Sequence, residues 1–169
     1  MVNAKGAKVF LDLKFHDIPN TVANSAKSAT RLGVFMMNMH VQGGFEMMNK
    51  AAIAVKDESS RLKIAKPIML GVTVLTSMGE KDLKDLQIRK GVKSQVTYLA
   101  RLAKDAHLDG VVASAEELQP IRWTCGDSFL IVTPGIRPEW AQKDDQKRTA
   151  TPRDAIKNGA DYIVIGRPI

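Results

Sequence analysis

The sequence predicts an α/β fold with a parallel sheet, of the (β/α)8-barrel type but incomplete, with about six strands. Three observations lead there. Short β-like runs alternate with helical stretches along the whole chain. Two successive runs near the C-terminus each end in a Gly and an Arg, at the position where barrel enzymes often bind phosphate. The 169 residues can bury one sizeable core but fall short of the roughly 200–250 residues of a complete barrel. An open doubly wound sheet is the competing architecture.

In chain order the β-like runs cover residues 9–13, 34–40, 68–74, 110–113, 129–132 and 162–165. After the first, Pro19 suits an opening helical turn and Gly33 a C-terminal cap, so a helix is expected over 19–32. Gly43-Gly44 reads as a strand-to-helix turn leading into a helix over 45–56, and residues 57–66 read as an irregular surface stretch. The clearest helix is "SQVTYLARLAKDAHL", residues 94–108, with Val96, Leu99, Leu102 and Ala103 at helical spacing. Residues 115–122 and 152–158 supply two more, and 133–151 reads as a long loop of the kind that often forms an active-site lid. With no low-complexity linker and no repeat at a fixed period, residues 1–169 are expected to be a single domain.

The stretch "FLDLKFHDIPNT", residues 10–21, sets charges into a strand that otherwise reads as buried. By strand parity Leu11, Leu13 and Phe15 share one face, and Phe10, Asp12 and Lys14 the other. In an edge strand both charges would stand in water. In a barrel the apolar face would pack on helices, and Asp12 and Lys14 would sit at the mouth. Near the other end, "VTPGIRP" and "IGRP" deliver Gly for close backbone approach and Arg as a forked donor for phosphate.

Composition excludes several classes. The longest apolar run, 68–75, is far below the roughly 20 residues of a bilayer span, and "MVNAKGAKVF" lacks the apolar core of a signal peptide, so a cytoplasmic protein is expected. Cys125 is the only cysteine, which leaves neither an intrachain disulfide nor a cysteine-based metal site. The balance of 25 Lys and Arg against 18 Asp and Glu gives +7, compatible with an anionic small molecule. The basic residues are scattered and aromatics make up only 5%, so nucleic-acid binding is not expected. His16, His40 and His107 read as structural, and their spacing suggests no metal site.

Taken together, "FLDLKFHDIPNT", "VTVLTSM", "DGVVASAEE", "VTPGIRP" and "YIVIGRPI" resemble orotidine 5′-phosphate decarboxylases, in that family's order and over essentially the whole chain. The resemblance implies that the strands are the third to eighth of a barrel. It implies that Asp12 and Lys14 are catalytic and that Asp17 and Thr21 reach the active site of a homodimer partner. It further implies that Thr76 contacts the pyrimidine, and that Arg137, Gln146, Gly166 and Arg167 surround the substrate phosphate. No metal and no cofactor are implied. Without the resemblance, Asp17 reads as a charge at the positive end of a helix, and Arg167 as a surface turn.

The reaction so implied is decarboxylation of orotidine 5′-phosphate to uridine 5′-phosphate, the last step of UMP synthesis, with Lys14 as proton donor. The family's ribose-contacting Asp and a further Lys lie on strands that would precede residue 10 and are not among these residues. The chain alone is therefore expected to be impaired. Two alternatives stand beside this reading: a non-catalytic phosphate-binding homologue, whether truncated or read from a mis-called gene start, and a metal-dependent sugar-phosphate decarboxylase or synthase of the same suprafamily.

Overall fold

The computed structural model describes residues 6–138, 140 and 149–167. Six strands alternate with helices: β1 Phe10–Phe15, α1 Pro19–Arg31, β2 Met36–His40, α2 Phe45–Leu62, β3 Ile68–Val72, α3 Glu80–Asp85, α4 Val92–Asp105, β4 Gly110–Val112, α5 Leu118–Cys125, β5 Leu130–Thr133, α6 Pro152–Lys157 and β6 Tyr162–Ile163. The strand order is β1-β2-β3-β4-β5-β6, and the β1–β2, β2–β3 and β5–β6 pairs are parallel. A doubly wound sheet reverses its order at a switch point. Consecutive order without reversal is that of a β/α barrel, so the (β/α)8-type class stands.

The backbone forms two compact units. One takes the chain up to Val72 together with Leu102–Gly110, and the other takes Thr73–Arg101 and the chain from Val111 onward.

In the first unit α1 and α2 pack on each other. Val22, Ala26 and Ala29 of α1 are buried, as are Met48, Ala51, Ala52 and Val55 of α2. Their i, i+3 and i+4 spacing is that of a helix with one apolar face, and the alanines permit close approach. Met37, Met39, Met47, Met48 and Met69 are fully buried, so much of this core is filled by flexible thioethers rather than branched aliphatics. Gly71 on β3 has a steric reason: a Cβ there would lie 2.6 Å from Val41 Cγ2 and 3.1 Å from the Ala103 Cβ. At the start of β3 the Asp109 carboxylate accepts the Met69 N–H at 2.8 Å and also pairs with Lys66.

Residues 57–66, expected to be irregular, are mostly helix: α2 runs on to Leu62 and closes on Lys63 in the left-handed conformation. The polar sequence "KDESSRL" is not a loop because Glu58 is buried, 5% exposed, between the guanidinium groups of Arg31 and Arg61. The short helix α3 was also not expected; it begins where the Gly79 N–H donates to the Asp82 carboxylate at 2.7 Å.

The second unit is tied together by Arg122 of α5. Its guanidinium donates to the carbonyls of Phe129 and Gly159 and to the Asp161 carboxylate, at 2.5, 2.7 and 2.6 Å. That carboxylate also accepts the Ile131 N–H at 2.7 Å, so one ion pair joins the beginnings of β5 and β6. After β5 the chain turns at Gly135, whose φ of 74° favours a residue without Cβ. It then pairs Ile136 with Ala150 as an isolated parallel bridge. That bridge ties residues 136 and 150, both inside the expected lid over 133–151. Thr151 accepts the Asp154 N–H and caps α6, which opens on Pro152.

Candidate active site

The first group of site residues lies at the C-terminal end of β1. Regular strand alternation stops there. Lys14 has φ 51°, the left-handed region that branched and long side chains rarely adopt, and the β1–β2 register shifts between Leu11 and Phe15. One part of the parity expectation is corrected: Leu13 is 61% exposed and not covered by helices, on a strand that stands at the end of the strand order.

This kink places the Lys14 ammonium 2.7 Å from Asp12 Oδ1, with both side chains partly exposed. Asn38 of β2, wholly buried, completes the cluster. Its Oδ1 accepts the Lys14 backbone N–H at 2.8 Å, and its Nδ2 donates to Asp12 Oδ1 at 2.6 Å. Sequence reasoning passed over Asn38. The signal was present: an amide in the middle of the apolar run "MMNMH" is an expensive residue to bury without partners.

His16 and His40 flank the cluster, their ring centroids 5.3 Å apart. Burial, then His16, then Lys14 push the His40 pKa below its ordinary value. Each of these influences favours the neutral imidazole over its charged form. Asp17 accepts the N–H of Ile18 at 2.6 Å immediately before α1, and Thr21 stands exposed on the first turns of that helix.

The second group lies in the other unit. Arg137, Gly166 and Arg167, with Pro134, Gly135, Ile136 and Val164, line one cavity of about 170 Å³. Arg137 is 9% exposed, and a Cβ built on Gly166 would meet nothing within 4 Å, so this wall presents backbone and leaves room for a ligand. Two guanidinium groups around a small opening suit an oxyanion with several acceptor oxygens. Thr76 is buried in the turn after β3 and is not among the residues lining this cavity. Gln146 lies outside the described residues. Among the described residues, no three His, Cys, Asp or Glu side chains gather as a metal ion would require. None of their helices is long and apolar enough to cross a membrane.

The comparisons with known proteins agree with one another. A family model described as orotidine 5′-phosphate decarboxylase / HUMPS family matches residues 1–169. The orotidine 5′-phosphate decarboxylase of Moorella thermoacetica is 50% identical over 170 residues, covering 100% of this chain and 68% of the relative. That of Pseudoalteromonas translucida is 54% identical over 164 residues, covering 97% and 68%. Among solved structures, orotidine 5′-phosphate decarboxylase from Lactobacillus acidophilus superposes with a TM-score of 0.85 at 40% identity, covering 99% of this chain and 70% of that one. An uncharacterized conserved protein from Geobacillus kaustophilus gives a TM-score of 0.84 at 41% identity, over 98% and 70%. Sequence and fold thus lead to one conclusion: the chain belongs to the orotidine 5′-phosphate decarboxylase / HUMPS family.

Proposed function

We propose that the chain acts as a cytoplasmic carboxy-lyase, converting orotidine 5′-phosphate to uridine 5′-phosphate and carbon dioxide without metal or cofactor. The observation that carries this reading is the Lys14 ammonium held 2.7 Å from the Asp12 carboxylate at a strand end. In the reaction the bond from the ring carbon to the carboxylate breaks, carbon dioxide leaves, and the electron pair stays on the ring carbon. Lys14 delivers a proton to that carbon. An ammonium fixed in place before the reaction stabilises the developing charge without reorganisation. Asp12 keeps Lys14 oriented and stands close to the departing carboxylate.

The phosphate is held by Arg137, Gly166 and Arg167, together with Gln146, and Thr76 contacts the pyrimidine. Binding energy gathered at the phosphate, remote from the reacting carbon, orients the ring. Asp17 and Thr21, exposed at the start of α1, serve the site of a partner in a homodimer. The chain spans 68% of the length of the Moorella thermoacetica relative, and the family resemblance assigns a further lysine and an aspartate to strands that would precede β1.

The test is carbon dioxide release from orotidine 5′-phosphate, measured in excess chelator, for the chain and for Lys14→Ala and Arg167→Ala. Turnover should survive the chelator and vanish in Lys14→Ala. Arg167→Ala should raise KM and weaken uridine 5′-phosphate binding by about 10- to 100-fold, the range for a lost hydrogen bond to a charged group. Abolition by chelator would instead favour a metal-dependent sugar-phosphate enzyme. Phosphate binding with no turnover in either the chain or a version extended at its N-terminus would favour a non-catalytic homologue.

A further inference from the structure

Asn38 touches the site from beneath, and nothing in the mechanism above uses it. It is 0% exposed on β2, between Met37 and Met39. An amide so placed must have partners, and both of its ends are committed to the Lys14–Asp12 pair. The acceptor end takes the Lys14 N–H, the donor that the register shift between Leu11 and Phe15 leaves opposite this side chain. The donor end takes Asp12 Oδ1, the same oxygen that receives the Lys14 ammonium.

We infer that Asn38 is a positioning residue for the decarboxylation, fixing through one side chain both the left-handed backbone of Lys14 and the orientation of Asp12. This rests on the reading of Lys14 and Asp12 given above. A non-glycine residue in that backbone region persists only where its surroundings over-determine it. Here the side-chain partner of that backbone is the buried Asn38 amide, between the β1–β2 pairs at Leu11 and Phe15. With the amide gone, Lys14 can return to extended backbone and swing its ammonium away from the reacting carbon. Among the described residues, the Asp12 carboxylate would then be held by Lys14 alone. His16 and His40 also lie near the cluster, and neither is hydrogen-bonded to Asn38 among the described contacts.

Two variants separate the two functions of the amide. Asn38→Asp keeps an acceptor for the Lys14 N–H but loses the donor to Asp12. Asn38→Ala loses both. Each is measured for kcat and KM per folded molecule, and for hydrogen exchange of the Lys14 amide by NMR. We expect both variants to lower kcat by about 30-fold or more while KM stays within about threefold, the signature of an interaction made in the transition state. We expect protection of the Lys14 amide to fall at least about tenfold in Asn38→Ala and to be retained in Asn38→Asp, since the open state becomes more populated only when the acceptor is removed. A merely structural role would lower stability and leave kcat per folded molecule unchanged, and that result overturns the inference. Unchanged Lys14 protection in Asn38→Ala overturns it equally, and this measurement needs no turnover. If instead the parent chain and its extended form are inactive, or Lys14→Ala keeps full activity, the decarboxylase reading is what fails.

Discussion

Two of the carboxylate–cation clusters in the first unit differ in character. On the helices, Glu58 is 5% exposed and receives Arg31 at 2.6 Å and Arg61 at 2.7 Å, both of its oxygens engaged. Hydrogen bonds from Arg61 and then Arg31 pull its pKa down to about 2. On the strand, Asp12 and Lys14 are 48% and 37% exposed, and a single Asp12 oxygen serves both Lys14 and Asn38. The helical cluster sits on regular backbone, and the strand cluster sits on a left-handed lysine. The difference lies in the carboxylate. Glu58 is covered and has both oxygens engaged, although its two arginines are themselves 56% and 61% exposed. Asp12 is 48% exposed and pairs with a lysine in the left-handed backbone region, the kind of arrangement the proposed role would use.

The largest effect that would test this contrast lies at Lys14. Lys14→Ala and Lys14→Gly should each lower turnover by about 10³-fold, within the range for loss of a proton donor. Their stabilities should differ, however. Glycine accepts φ 51° freely, so Lys14→Gly should be about 1 kcal/mol more stable than Lys14→Ala. Urea unfolding of the two variants measures it. Equal stability would mean that the backbone at Lys14 stores no strain, and the contrast would break.

A smaller effect concerns the sealed cluster. Glu58 has a folded pKa of about 2 against an ordinary 4.5, so its contribution is fully present above pH 4.5 and is lost as pH falls towards 2. Unfolding midpoints measured from pH 7 to pH 2 should decline steeply in that window. Glu58→Gln should flatten the decline and leave turnover per folded molecule unchanged. His40 adds a weaker slope higher up: its folded pKa lies below 6.5, so the unfolded chain takes up the proton first and stability decreases as pH falls below that value. A Glu58→Gln profile as steep as the parent's would show that the two arginines do not set acid stability.

The smallest effect is at Lys63, which among the described residues of this unit is the other lysine with left-handed backbone, φ 55°, and ends α2. There the conformation only closes a helix. Lys63→Gly should stabilise the protein by about 1 kcal/mol, the ordinary benefit of glycine at a helix C-terminus, with turnover unchanged. A change in turnover would indicate that left-handed lysines in this unit are coupled to the site irrespective of place, which would remove the distinction drawn above.

The sequence by itself determined the α/β alternation, because runs of period 2 and period 3.6 are local properties of the chain. It also placed Asp12 and Lys14 two residues apart on one strand, and the Gly-Arg pairs after β5 and β6. At residues 57–62 and at Asn38 the deciding partner was distant in sequence, whereas the unexpected helix α3 opens on a contact only three residues apart, Gly79 to Asp82. Residues 57–62 read as loop because nothing local reveals that Glu58 is sealed by Arg31, 27 residues away. Asn38 went unnoticed because its two partners lie 24 and 26 positions earlier. The parity of β1 brought Asp12 and Lys14 together as expected, and it departed at Leu13, which is exposed in the stretch where the register with β2 shifts. Periodicity describes a chain against a uniform surface, whereas a kink depends on the particular amide that folding brings opposite it, and only the tertiary structure supplies that amide.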